Sequence, residues 1–186
     1  MFNFEKIPTP FLVAEIGNNH EGSLNNAIKL IKAAKNSGAD AVKFQIFDPN
    51  KLSSPRDKKR VIQLKKFALD RKDVILLKKK CDELGIIFFA TPLDIKSAIF
   101  LNKIQKFFKI SSGDNNYTDL LKKVRSFKKP VIVSTGLMNF KEIIKLVKFF
   151  QEFDFYKKKK KFLYNALCFC LPSFNQKYKS KFSTFS

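Results

Sequence analysis

Three cysteines, four arginines and a single histidine are all that 186 residues contain of these types, and each scarcity excludes something. Cys81, Cys168 and Cys170 are odd in number and form no CxxC pair, so a disulfide framework is not expected. They read as buried thiols in a reducing compartment. Hydrophobic runs are short: nothing approaches the roughly 18 consecutive apolar residues of a membrane span, and MFNFEKIPTP at the start lacks a basic region leading into a long apolar one. These features predict a cytoplasmic chain with no membrane partner. The net charge of +21 would ordinarily suggest nucleic acid, but only Arg56, Arg60, Arg71 and Arg125 are arginines among 37 basic residues. Specific nucleic-acid readers favour arginine and clustered motifs. The scattered lysines are therefore read as biased composition, and nucleic acid is a disfavoured partner. Glycine stops at Gly136, and acidic residues are absent from Tyr156 to Ser186.

A hydrophobic content of 45% with 22 phenylalanines is enough for a packed core. Phe11–Gly17 reads as a buried strand. Ser23 is placed to cap a helix with Leu24, Ala27, Ile28, Ile31 and Ala34 on one stripe, ending at Gly38. A strand over Ala41–Phe47 follows, then a long polar connection with one short helix, Val61–Leu69. Asp70 or Asp73 caps a helix with Val74, Leu77, Cys81 and Leu84 inward, and the strand IIFFATP comes next. Asp94 caps a helix through Leu101. The strand FFKISSG (Phe107–Gly113), a helix from Tyr117 to Phe127, the strand VIVSTG from Val131 and a helix from Asn139 to about Phe153 complete the run. That last helix carries Ile143, Ile144, Val147 and Phe150 inward.

Five strand–helix units in succession predict an α/β fold with a parallel sheet covered by helices. The strand ends choose between a doubly wound sheet and a barrel. Each strand finishes in polar or small residues (Glu15, Gln45, Thr91, Ser111 with Ser112, Ser134 with Thr135), as when all C-terminal ends rim one site, and no GxGxxG follows the first strand. The expectation is a partial (β/α)8 (TIM) barrel of five to six units. Residues 1–155 form the barrel part, and 156–186 form an aberrant lysine-rich tail in which Phe162–Cys170 begins a sixth strand.

Two strands carry a lysine among apolar residues. Lys109 lies inside FFKISSG, and the alternation of AVKFQIF puts Lys43 and Gln45 on one face opposite Val42, Phe44 and Ile46. An ammonium in such a place needs an anion, supplied by a neighbouring carboxylate or by a ligand. Two lysines and several hydroxyls at strand ends point to an anionic ligand. Glu15 either pairs with one of these lysines or transfers protons beside them. His20, in an Asn/Gly loop, reads as a hydrogen-bonding or capping residue.

At AEIGNNHEG (14–22), VKFQ (42–45), FFATPLD (88–94), FKISSGDNN (108–116) and VIVSTGLM (131–138), the chain resembles the N-terminal barrel of the sialic acid synthase family, which includes N-acetylneuraminate, legionaminate and pseudaminate synthases. The resemblance covers about residues 10–152. It implies condensation of phosphoenolpyruvate with an N-acylated amino sugar, with C–O cleavage and loss of phosphate, giving a nine-carbon 2-keto acid. It assigns Lys43, Thr91, Lys109, Ser112 and Ser134 to phosphoenolpyruvate, Gln45 and Asp114 to the sugar, and an acid, base or orienting role to Glu15. Asp114 stands where the sialate members commonly have glutamate, so the sugar stays open.

The family's divalent metal, manganese or magnesium, is held by two histidines, which a chain with only His20 does not present. The resemblance also implies a C-terminal antifreeze-like domain and a homodimer, and CFCLP (168–172) only loosely echoes the sixth strand. The sequence is accordingly read as an incomplete synthase, weak or inactive by itself and prone to association through open strand edges. Two alternatives are another phosphoenolpyruvate-dependent 2-keto-3-deoxy acid synthase and a non-catalytic basic protein binding anions or nucleic acid.

Overall fold

A computed structural model describes residues 11–151 and the two-residue strand Leu167–Cys168. Strand β1 (Val13–Gly17) leads through a tight loop to α1 (Leu24–Asn36), where the Ser23 hydroxyl accepts from the Asn26 N–H at 3.2 Å. That bond satisfies one of the orphan donors of the first turn. Gly38, at φ +81°, ends the helix just past Ser37. β2 (Ala41–Ile46) follows. The next helix departs from the sequence expectation of Val61–Leu69: α2 spans Lys58–Phe67, because Asp57 accepts from the Arg60 N–H at 3.0 Å and Ala68 is already extended. Its polar first turn shows no apolar stripe, so periodicity detects only the second half.

Asp70, rather than Asp73, caps α3 (Arg71–Glu83), accepting from the Asp73 N–H at 2.7 Å. Strand β3 (Ile87–Pro92), helix α4 (Ile95–Leu101) with Asp94 as its cap, and the short β4 (Phe108–Ile110) come next. β4 is shorter than FFKISSG because the chain turns at Ser111, where the Asp114 N–H reaches back to the Ser111 carbonyl at 3.2 Å. α5 (Thr118–Ser126), β5 (Val131–Ser134), α6 (Phe140–Gln151) and β6 (Leu167–Cys168) complete the order. Asn139 and Glu142 cap α6 reciprocally, with bonds of 2.7 and 3.1 Å between each backbone N–H and the other side chain.

The strands form two three-stranded sheets, β1-β2-β3 and β4-β5-β6, with parallel pairing in β1–β2, β2–β3 and β5–β6. Parallel strands joined through helices are the succession of a partial (β/α)8-type barrel. The chain divides into two compact units, Met1–Lys109 and Ile110–Ser186. In the first, Ala27, Ile31 and Ala34 of α1 and Val74, Leu77 and Cys81 of α3 are buried, and both helices pack on the sheet. Phe44 stacks on Phe88 at 5.6 Å between ring centroids. Burial pushes the Cys81 thiol up to about 12, consistent with an inert core cysteine.

Gln105 does the work of a strand at the free edge of β3. Buried itself, it accepts from the Ala90 N–H at 2.9 Å and donates to the Ala90 carbonyl at 3.3 Å. Both groups would otherwise lie unpaired in the interior.

In the second unit, Leu120, Leu121 and Val124 of α5 are buried as expected. The buried face of α6 is Ile143, Leu146 and Phe150, so Leu146 replaces the expected Ile144 and Val147, which are half-buried flanks of the same stripe. Arg125 donates to the Phe149 carbonyl at 2.6 Å and lies 4.0 Å over the Phe149 ring. Of the expected sixth strand, Leu167 and Cys168 pair with Val133 and Ser134. The remainder of that strand and the lysine-rich tail lie outside the described residues.

Candidate functional site

Register decides which polar side chains meet in the first unit. Glu15 of β1 stands opposite Lys43 of β2, and Gln45, two residues on, stands opposite Thr91 of β3. Side chains of paired residues in a parallel sheet share a face, so Glu15, Lys43, Gln45 and Thr91 form a polar group at the C-terminal ends of three strands. The opposite face carries Val42, Phe44, Phe88 and Ala90, all buried. Lys43 Nζ and Glu15 Oε2 form an ion pair, answering the need for an anion partner. The lysine side chain is 13% exposed and the carboxylate 54%. The pair is thus open to solvent on its acidic side and enclosed on its basic side. Thr91 is buried with no partner for its hydroxyl, and Lys109, between Phe108 and Ile110, is 8% exposed.

The loop after β1 supports this group. Asn18 Nδ2 donates to Gln45 Oε1 at 2.8 Å. His20 is fully buried, its ring 5.9 Å from that of Phe44, and its Nδ1 accepts from the Gly22 N–H at 3.0 Å. It is thus the hydrogen-bonding loop residue that the sequence suggests. Burial lowers its pKa from the ordinary 6.5, with the Gly17 carbonyl opposing the shift. An imidazole held neutral in the fold stabilises it fully above the unfolded pKa of about 6.5, and that contribution is lost as pH falls through the lowered folded value. The urea midpoint is therefore expected to drop between pH 7.5 and 5.5, and His20→Gln should flatten that slope. An equal slope in the variant would assign it to other groups.

In the second unit, the Ser111 hydroxyl donates to Asp114, orienting a side chain expected to meet the sugar. Asn115, 6% exposed, donates to the carbonyls of Ser134 and Gly136 at 3.2 and 3.0 Å and so ties down the turn leaving β5. Gly136 passes so near Ser112 that an added Cβ would stand 3.2 Å from the serine Cβ. Ser112 and Ser134 are thereby joined to one turn, with Thr135 buried beside them and its hydroxyl without a partner.

Asn18, Asn115 and Gln105 escape the sequence reading. The available signal was their position in AEIGNNHEG and FKISSGDNN for the first two, but an asparagine in a loop looks like a turn residue until its partner is known. The residues do not fit the two-histidine metal site implied by the resemblance. The chain has one histidine, committed to Gly22, and no group of three His, Cys, Asp or Glu side chains suited to a metal occurs among the described residues. No helix among the described residues is long and apolar enough to cross a membrane.

Comparison with known proteins bears on the family and the fold. An N,N'-diacetyllegionaminic acid synthase of Campylobacter jejuni is 41% identical over 149 residues, covering 71% of this chain and 44% of that protein. A pseudaminic acid synthase of the same species is 32% identical over 165 residues, covering 81% of this chain and 48% of the relative. The crystal structure of an N-acetylneuraminic acid (sialic acid) synthetase from Leptospira borgpetersenii superposes with a TM-score of 0.71 at 33% identity, over 81% of this chain and 50% of that one. The chain thus spans about half the length of the relatives it matches. Residues 30–180 match the family profile itself, and the chain belongs to the NeuB family.

Proposed function

We propose that this chain supplies the phosphoenolpyruvate-binding part of a synthase that condenses phosphoenolpyruvate with an N-acylated amino sugar to a nine-carbon 2-keto acid. The observation that carries this reading is the polar row of the first unit, in which Glu15, Lys43, Gln45 and Thr91 share one sheet face in a unit that also holds the buried Lys109. Lys43 and Lys109 act as the cations for phosphate and carboxylate, with Thr91 giving a directional hydrogen bond. The resemblance adds Ser112 and Ser134 for the same ligand and Asp114 for the sugar. In the reaction, C3 of phosphoenolpyruvate bonds to the sugar's carbonyl carbon, water adds at C2, and phosphate departs with its bridging oxygen. Glu15 holds or moves a proton beside the reacting carbons. No step is assigned to a metal, since the residues described do not assemble its site.

Two fixed cations in a partly dry site attract a multiply charged anion by several kcal/mol before desolvation is subtracted. Affinity for phosphoenolpyruvate alone should be roughly millimolar. Ligand-observed NMR on the 186-residue chain tests it. Lys43→Met and Lys109→Met, which keep most of the stem volume, should each weaken binding at least tenfold with the fold retained. Glu15→Gln should strengthen it several-fold, because it releases Lys43 and removes a like charge from the anion's neighbourhood. Unchanged binding in both lysine variants would overturn the assignment.

A further inference from the structure

Asn18 and Gln45 are joined side chain to side chain across the end of the β1–β2 pair, and the polarity of that bond has a chemical consequence. Asn18 Nδ2 is the donor and Gln45 Oε1 the acceptor, 2.8 Å apart. One of the two lone pairs of the Gln45 carbonyl is therefore engaged by Asn18, which turns that oxygen toward Asn18 and leaves both N–H groups of Nε2 as donors for a ligand. The reverse orientation is disfavoured. Asn18 Oδ1 is buried with no partner, and swapping the amide would put two N–H donors in place of that one carbonyl oxygen. A buried carbonyl oxygen is left unmatched more readily than a buried N–H. Asn18 thus leaves its own acceptor unmet while fixing that of Gln45, an unfavourable arrangement that is explained if the orientation of Gln45 matters.

We propose that Asn18 is a positioning residue that sets the hydrogen-bond polarity of Gln45, so that the acceptor subsite offers donors and selects ligands presenting oxygen acceptors, hydroxyl or acyl carbonyl. The proposal rests on the reading that Gln45 meets the amino sugar. Gln45 faces the same side as Lys43 and pairs in register with Thr91, so a ligand held by Nε2 lies beside the row assigned to phosphoenolpyruvate. An aspartate at position 18 inverts the system: its carboxylate only accepts, so Gln45 must turn its Nε2 toward it and show Oε1 to the ligand.

The test uses the full chain with three variants, Asn18→Ala, Asn18→Asp and Gln45→Glu, and two readouts. The first is the ¹⁵N-resolved side-chain amide signal of Gln45, assigned by its loss in Gln45→Glu. It should be well dispersed in the parent, averaged toward the free-amide position in Asn18→Ala, and moved downfield in Asn18→Asp as one N–H bonds to a carboxylate. The second is binding of N-acetylmannosamine in the presence of phosphoenolpyruvate. Asn18→Ala should weaken it about tenfold and Asn18→Asp more, while phosphoenolpyruvate binding changes less than twofold. A merely structural role would weaken both ligands alike and overturn the proposal, as would a Gln45 signal unchanged in both Asn18 variants. If the parent fails to bind the sugar while the amide signals shift as described, the sugar reading of Gln45 falls and the positioning by Asn18 stands.

Discussion

Replacing Gly22 with alanine should destabilise the fold by at least about 3 kcal/mol, the combined cost of a left-handed alanine and an overpacked backbone contact. Gly22 sits at φ +81°, and a Cβ built on it would lie 1.9 Å from the carbonyl oxygen of Lys66 and 3.1 Å from its carbonyl carbon. The obstacle is the backbone of the last turn of α2, which no rotamer change relieves. Either the loop carrying Asn18 and His20 lifts away, breaking the Gly22 N–H bond to His20, or the end of α2 shifts. Gly38 is the internal control. It has the same φ of +81° with nothing within 4 Å of an added Cβ, so Gly38→Ala carries the conformational cost alone, about 1–2 kcal/mol. Thermal midpoints would fall by roughly 2–4 °C for each kcal/mol in a chain of this size. Equal losses in the two variants would show that the approach of Gly22 to α2 is not a determinant of stability. A larger loss at Gly22, accompanied by a freed Gln45 amide signal, would show that this glycine holds the loop on which the site depends.

How much was legible in advance follows from how local each signal is. Ser23, Asp70 and Asp94 announce helix starts because a capping side chain bonds within three residues of itself, and all three do so. The alternation in AVKFQIF placed Lys43 and Gln45 on one face because strand geometry depends only on neighbours, and the observed register agrees. The need of Lys43 for an anion was legible, and Glu15 was among the candidates to meet it. The start of α2 was not, since its first turn, Lys58–Arg60, is polar and its cap Asp57 is one of several polar residues in a long connection. Nor were Asn18, Gln105 and Asn115. Their partners Gln45, Ala90, Ser134 and Gly136 lie 15 to 27 residues away, and a polar side chain gives no periodic sign of what it will meet across the fold. For the same reason the family motifs identified the residues expected to touch ligand more readily than those that hold them in place.

Asp94→Ala is expected to cost about 2–4 kcal/mol, since it removes a helix cap and strands a second backbone donor in one substitution. Asp94 is 4% exposed and accepts three hydrogen bonds: from the Ser97 N–H at 2.8 Å, from the Ser97 hydroxyl at 2.6 Å, and from the Asp48 N–H at 2.8 Å. Two of these begin α4. The third ties the chain leaving β2 to the chain leaving β3, alongside the Leu93 N–H bond to the Ile46 carbonyl at 3.0 Å. These crosslinks stand just beyond Gln45 and Thr91, so their loss should loosen the ends of the two strands that carry the polar row. Asp94→Asn should cost about half as much, because it keeps one oxygen for the cap but turns an N–H toward a donor. Ser97→Ala, which removes the hydroxyl bond and leaves the other two, should cost only about 1 kcal/mol. Urea unfolding of the three variants distinguishes a crosslink from a simple cap. If Asp94→Ala is no worse than Ser97→Ala, the bond to Asp48 contributes nothing. If its loss is the largest and phosphoenolpyruvate binding weakens with it, the bridge between β2 and β3 is what keeps Lys43 and Thr91 aligned.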